Sequence, residues 1–154
     1  MRTRHGEAHK GFEPKEEMLK PFKSLPGKGW YVFVGELLHS KTPNIKDTFY
    51  VYEILVMDGK KLVGTKYKDR YQMLKLLLND VQGETDQYYI INNNVWLAKC
   101  FISGFKEMFD NLKNKEDEGL VLRDVEATMR DCLSKTSNVK WLVKCRKSTK
   151  NYGF

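Results

Sequence analysis

An α+β fold, a mostly antiparallel sheet with flanking helices, is predicted by three features of the sequence. Short runs of β-branched and aromatic residues recur along the chain, among them "WYVFV", "FYVYEILV" and "QYYIINN". Asp58-Gly59 stands between two apolar runs, the signature of a two-residue hairpin joining antiparallel strands. Helical periodicity occurs between the strands without strict alternation, which argues against a doubly wound parallel sheet. The 154 residues suffice for one domain with a real core.

Taken in order, the Pro26-Gly27 turn leads into a strand over Trp30 to Val34. "DTFYVYEILVMDGKKLVG" follows as the hairpin. Tyr67, Tyr71, Leu74, Leu77 and Leu78 fall at helical spacing. "QYYIINN" reads as a short buried strand. Beyond it, Leu97, Phe101, Phe105 (or Ile102), Met108, Phe109 and Leu112 share one face of what reads as the longest helix. Asn94 is its expected cap, and Gly119 follows its end. "GLVLRD" and "KWLVKCRK" read as strands, with "VEATMRDCLSK" a short helix between them.

The formal charge of +7 fits a protein that meets polyanions. No apolar run approaches the ~18 residues of a membrane span. The opening "MRTRHGEAHKGFEPKEE" is charged throughout, so no signal peptide is expected. Cys100, Cys132 and Cys145 lack framework or zinc spacing and read as buried free thiols of a cytoplasmic protein. His5, His9 and His39 show no ligand spacing and read as surface residues.

Charges sit at the ends of several apolar strands. "FVGELL" offers Glu36 behind Gly35, "FYVYEIL" offers Tyr50, Tyr52 and Glu53, and "EDEGLVLRD" offers Glu118 and Arg123. "KWLVKCRK" alternates Lys140, Leu142, Lys144 and Arg146 against Trp141, Val143 and Cys145, and "RTRHGE" adds Arg4. A phosphate-transfer pocket needs these parts: cations for phosphates, a carboxylate for a metal, an aromatic plate for a base. Each also has a plainer reading. The alternating cations also suit the solvated face of an edge strand, the tyrosines suit packing, and Glu118 suits a helix end.

The order of these stretches resembles the covalent nucleotidyltransferase superfamily, which holds the ATP-dependent DNA and RNA ligases and the GTP-using mRNA capping enzymes. "RTRHGE" is similar to the segment downstream of the family's nucleophile. "FVGELL" is similar to motif III, "FYVYEIL" with "YKDRYQML" to motif IIIa and its helix, "EGLVLR" to motif IV and "WLVKCRK" to motif V. "RHGE" and the "YKDRYQML" helix bring it nearer the DNA ligases than the capping branch.

The resemblance implies ATP and Mg2+ as cofactors and nicked duplex DNA, or RNA, as partner. Glu36 would bond the ribose hydroxyls and Tyr52 would stack on adenine. Glu118 would hold the metal, and Lys144 and Arg146 would contact the α-phosphate. Arg4 and Arg123 would be further contacts to the nucleotide or to a nucleic-acid end.

Two departures qualify this. The family's Lys-x-Asp-Gly nucleophile motif is not found, since Val56 stands where "VMDG" would need lysine, and Val34 replaces the Asp usual before Gly-Glu. Nor does an OB-fold domain follow motif V in these residues. The expectation is therefore a partial nucleotidyltransferase domain over 1–154, incomplete for lysine adenylylation alone. It could be a piece of an active ligase, a half completed by a second chain that supplies the lysine, or a catalytically inactive binding module.

Overall fold

The computed structural model describes residues 1–3, 6–39, 42, 44–112, 119–130 and 139–147. Along the chain run helix α1 (Glu16–Lys23), strands β1 (Val32–Leu38), β2 (Thr48–Met57) and β3 (Lys60–Lys61), and helix α2 (Tyr67–Leu77). Strands β4 (Gly83–Glu84), β5 (Tyr88–Asn92) and β6 (Val95–Ala98) precede helix α3 (Phe105–Asn111), and β7 (Gly119–Arg123) and β8 (Leu142–Arg146) follow it. One sheet has the order β1-β2-β6-β5-β4 with β3 on β2, and β7 and β8 pair as a second. Every pairing is antiparallel except β2 with β6. This is the α+β, mostly antiparallel architecture. At the β2–β3 turn Asp58 and Gly59 have φ of 48° and 78°, as a two-residue hairpin turn requires.

The core lies on one face of the larger sheet. Val51, Ile54, Val95 and Leu97 are buried there with Met18 of α1 and Tyr71 and Leu74 of α2. Phe22 of α1 adds ring contacts to Phe33 and Phe49 at 5.0 and 6.2 Å. Val51 and Ile54 stand three residues apart, which strict strand alternation would send to opposite faces. The pairing explains how both enter the core. Gly35 pairs Val51 and Val34 pairs Glu53, so Tyr52 is an extra residue with no partner on β1, a β-bulge.

The long helix expected from Asn94 onward is not formed. Asn93 and Asn94 turn the chain between β5 and β6, and α3 is only seven residues long. Val95, Trp96 and Leu97 favour strands, and β6 gains ladder hydrogen bonds from both β2 and β5, which outweigh a coincidental helical spacing. Phe101, Ile102 and Phe105 remain exposed, so no continuous helical face is buried. The first strand begins at Val32 and leaves Trp30 in solvent. Residues 125 and 126 form a turn and 127–129 are irregular, so the helix expected there does not begin at Val125, while 131–138, with Cys132, lie outside the described residues. His9 and His39 are not simple surface residues, because both rings pack on Phe12 and His39 Nδ1 hydrogen-bonds Asp47 Oδ1 at 2.6 Å.

At Gly35 the β1 backbone leaves no room for a side chain against β2. A Cβ there would lie 2.3 Å from the Tyr50 carbonyl oxygen and 2.7 Å from the Phe49 ring. Gly35→Ala is expected to lower unfolding free energy by about 1–3 kcal/mol, the usual cost of overpacking. An unchanged denaturation midpoint would contradict this packing.

Candidate functional site

The bulge at Tyr52 aims Glu53 into a cluster of cations. Arg70 of α2 grips its carboxylate with a two-pronged fork, Nε to Oε1 at 3.0 Å and Nη2 to Oε2 at 2.9 Å. Arg123 at the end of β7 donates from Nη1 to Oε2 at 2.6 Å, and the amide of Ile54 donates to Oε1 at 3.1 Å. Glu53 and Arg70 retain only 6% and 1% exposure, so the pair is shielded from water. Arg70 also donates to the Thr65 carbonyl at 2.5 Å. The guanidinium of Arg123 lies 4.7 Å from the Tyr67 ring and 5.7 Å from the Tyr52 ring. Two guanidiniums face the one buried carboxylate, which leaves the Arg123 charge beside Tyr52 opposite that of Glu36.

The second sheet is stapled to α2 just beyond Arg123. Tyr67 and Lys68, at the helix start, donate backbone hydrogen bonds to Ala127 and Val125 at 2.9 and 3.0 Å. These satisfy amides that no side chain caps. Lys66 and Lys68 both bind Glu126, and they hold its carboxyl down at about 2.

Within the β7–β8 ladder Arg123 pairs Leu142, Val121 pairs Lys144 and Gly119 pairs Arg146. Facing residues share a side and alternate along each strand, so Arg123, Lys144 and Arg146 project from one face. The other face turns Leu120, Leu122 and Cys145 toward Phe105 and Phe109 of α3, around a cavity of about 280 Å3. Gly119 has φ of 147°, and a Cβ on it would lie 1.9 Å from the Cys145 carbonyl oxygen. Glycine is therefore the residue that lets β7 start against β8.

On the larger sheet, the face away from the core carries a cross-strand row. Glu36 pairs Tyr50, Tyr50 pairs Trp96 and Trp96 pairs Ile90, all on one side. Tyr88 stacks on Trp96 at 4.3 Å and meets Tyr50 edge-on at 6.0 Å. Tyr52 is half-buried beside this row. Burial first, and then the charge of Glu36, raise its phenol pKa, while Arg123 opposes the shift. That coupling brings Glu36, Tyr52 and Arg123 into one neighbourhood.

Of the residues singled out in the sequence, Glu36, Tyr52 and Arg123 are thus brought together. Lys144 and Arg146 share the Arg123 face of β7–β8. Arg123 reaches Glu53, a contact its strand-end position did not disclose. Arg4 and Glu118 lie outside the described residues. The sequence reading missed Arg70, Tyr88 and Trp96 as parts of the site. Arg70 did carry a signal, since an arginine between Tyr67, Tyr71 and Leu74 on a core-facing stripe announces a buried partner. Among the described residues no three His, Cys, Asp or Glu side chains gather to cage a metal. Mg2+ commonly uses one or two carboxylates plus phosphates, so its chemistry does not need such a cage.

Tyr67 and Tyr71 have phenols well above the ordinary value, chiefly through burial. Tyr71 donates to the Ala98 carbonyl at 2.9 Å, and Tyr67 shares a hydrogen bond with the Cys100 thiol at 3.1 Å. Cys100 is exposed as a residue, not buried as expected, yet its thiol points inward and burial pushes its pKa up. A phenol raised in the folded state adds stability below the ordinary tyrosine value of about 10 and loses it as pH rises further. Denaturant midpoints are therefore expected to fall above about pH 10, less steeply in Tyr67→Phe. A flat profile would contradict the burial.

Arg70→Ala is expected to cost about 3 kcal/mol, because Glu53 loses its two-pronged buried partner and keeps only Arg123 and the Ile54 amide. Replacing Glu53→Leu, Arg70→Met and Arg123→Met together, so that no charge is left unpaired, should recover most of that loss, and a triple variant as unstable as Arg70→Ala would contradict it.

The family model for the ATP dependent DNA ligase domain matches residues 12–142, most of the chain. No curated protein and no solved structure matches. The match takes in the β1–β2 pair, the α2 helix, the Glu53–Arg70–Arg123 cluster and the start of β8, and by it the chain belongs to the ATP-dependent DNA ligase family.

Proposed function

We propose that this ligase-family core binds ATP between the Glu36–Tyr52 side of the larger sheet and the Arg123–Lys144–Arg146 face of β7–β8, and that it engages nicked duplex DNA. The observation that carries the reading is the meeting of both sheets at Glu53. It sets an aromatic ring, the Glu36 carboxylate and the anchored Arg123 guanidinium around one point.

The residues fit the parts of the nucleotide. Tyr52 offers a ring for adenine, and the Glu36 carboxylate, exposed at its side, can accept hydrogen bonds from ribose hydroxyls. Lys144 and Arg146 supply cations for the phosphates from one strand face. Arg123, anchored by Glu53, adds a fixed positive charge without having to reorganise when an anion arrives. Glu118 is the residue the family pattern assigns to Mg2+, which when bound would offset phosphate charge.

The 154 residues hold no Lys-x-Asp-Gly, and Asp58-Gly59 is committed to the β2–β3 turn. Binding is therefore the activity proposed for these residues by themselves. Incubation with α-labelled ATP and magnesium should leave no acid-labile label on the chain. A labelled band would identify one of its lysines as a nucleophile and overturn that part.

Calorimetric titration with Mg-ATP should show binding that weakens about tenfold in Lys144→Ala, the loss of one hydrogen bond to a charged group. Binding indifferent to Lys144→Ala, or none at all, would contradict the site. Affinity for nicked duplex should fall steeply with salt, as phosphate contacts demand.

A further inference from the structure

At the far end of the β1–β2 pair, the loop Pro26-Gly27-Lys28-Gly29-Trp30 is clasped onto the Asp58-Gly59 turn. The Gly29 amide donates to Asp58 Oδ1 at 2.5 Å, and the Gly59 amide donates to the Trp30 carbonyl at 2.8 Å. Tyr31 reaches back to donate from its hydroxyl to the Pro26 carbonyl. Glycine is needed for this closeness. A Cβ on Gly27, where φ is 87°, would lie 2.5 Å from the Asp58 carboxylate, and one on Gly29 would lie 2.4 Å from the Asp58 backbone. The indole of Trp30 comes to rest beside Gly59 with 55% of the residue exposed. Lys28 is exposed on the same loop, and Lys60 and Lys61 are exposed on β3 directly after the turn, on opposite sides of that strand, while Asp58 is already engaged by the loop.

Single apolar side chains scattered over a surface need no explanation. This one differs because a paired loop and turn hold its backbone in place, with one cation on the loop and two on the short strand that follows the turn. An exposed ring on a clasped loop offers a flat face to a nucleobase, and exposed lysines on that loop and on β3 supply positive charge for phosphates. An acidic peptide would use the lysines but has no need of the ring. At the rise of a strand the turn lies about 20 Å along β2 from Tyr52, so this is a contact distinct from the ATP cleft.

We infer that Trp30, with Lys28, Lys60 and Lys61, is a base-stacking site for unpaired DNA outside the nucleotide cleft. The inference rests on the reading of the chain as a DNA-binding ligase core and extends it to single-stranded segments.

The test uses the whole chain and a single-stranded oligothymidylate. Indole fluorescence should be quenched on binding, and Trp30→Ala should lose the quenching and weaken binding about 5- to 30-fold, as removal of one stacking ring does. Trp30→Phe, which keeps a ring, should stay within about threefold of the parent. Replacing Lys60 and Lys61 by Ala should flatten the salt dependence of binding.

Unchanged affinity in Trp30→Ala, Trp30→Phe as weak as Trp30→Ala, or inorganic polyphosphate competing as well as the oligonucleotide would each overturn the inference. The last result would mark a bare polyanion patch, and capture of an acidic peptide in place of DNA would overturn it equally. Mg-ATP titration of Trp30→Ala separates the two readings. ATP binding should be intact there, whereas failure of the cleft would abolish ATP binding in the parent and leave oligonucleotide quenching in place.

Discussion

The Glu53 carboxylate is the point at which the strand pairing, the α2 helix and the second sheet are joined. It accepts from Arg70, Arg123 and the Ile54 amide within 2.6 to 3.1 Å, out of reach of water. A buried carboxylate is tolerable only when its charge is matched and its lone pairs are satisfied, and here both conditions are met by residues from three elements. The arrangement contributes little net stability compared with apolar packing. Its value is geometric. It sets the Arg123 guanidinium beside Tyr52 and Tyr67, and with Arg123 it sets the β7–β8 face that carries Lys144 and Arg146.

The bulge at Tyr52 makes this possible. Without an extra residue, Val51 and Ile54 could not both enter the core, and the chain would have to choose between packing and placing Glu53. With it, β2 fills the core on either side of a two-residue interruption and offers Tyr52 and Glu53 together to Arg123. Gly35 pairs opposite Val51, next to the interruption, where β1 presses onto β2. The Gly-Glu step legible in the sequence is therefore first a packing requirement, and it carries Glu36 to the neighbourhood of Tyr52 as a consequence.

Much of the fold was legible because it is written locally. The Asp58-Gly59 turn, the β2 run, the α2 spacing and the β7 and β8 strands each follow from a few adjacent residues, and the motif order pointed to the ligase family. What escaped depends on partners distant in sequence. The parallel pairing of β2 with β6 joins segments more than 40 residues apart, and it converts Val95–Ala98 from an expected helix into a strand. The pairing of Glu53 with Arg70 and Arg123 is equally non-local. Arg70 was visible only as a charge on an apolar stripe, and Trp96 was hidden by its assignment to that helix.

The nucleotide reading is tested most directly by photolabelling with 8-azido-ATP and mapping the labelled peptide. If ATP lies against Tyr52, label falls on the β2 segment Thr48–Met57, excess ATP protects it, and Arg123→Met reduces it. Label concentrated on α3 or on β4, or label that excess ATP fails to displace, would mean that the cluster around Glu53 holds the two sheets together without holding a nucleotide.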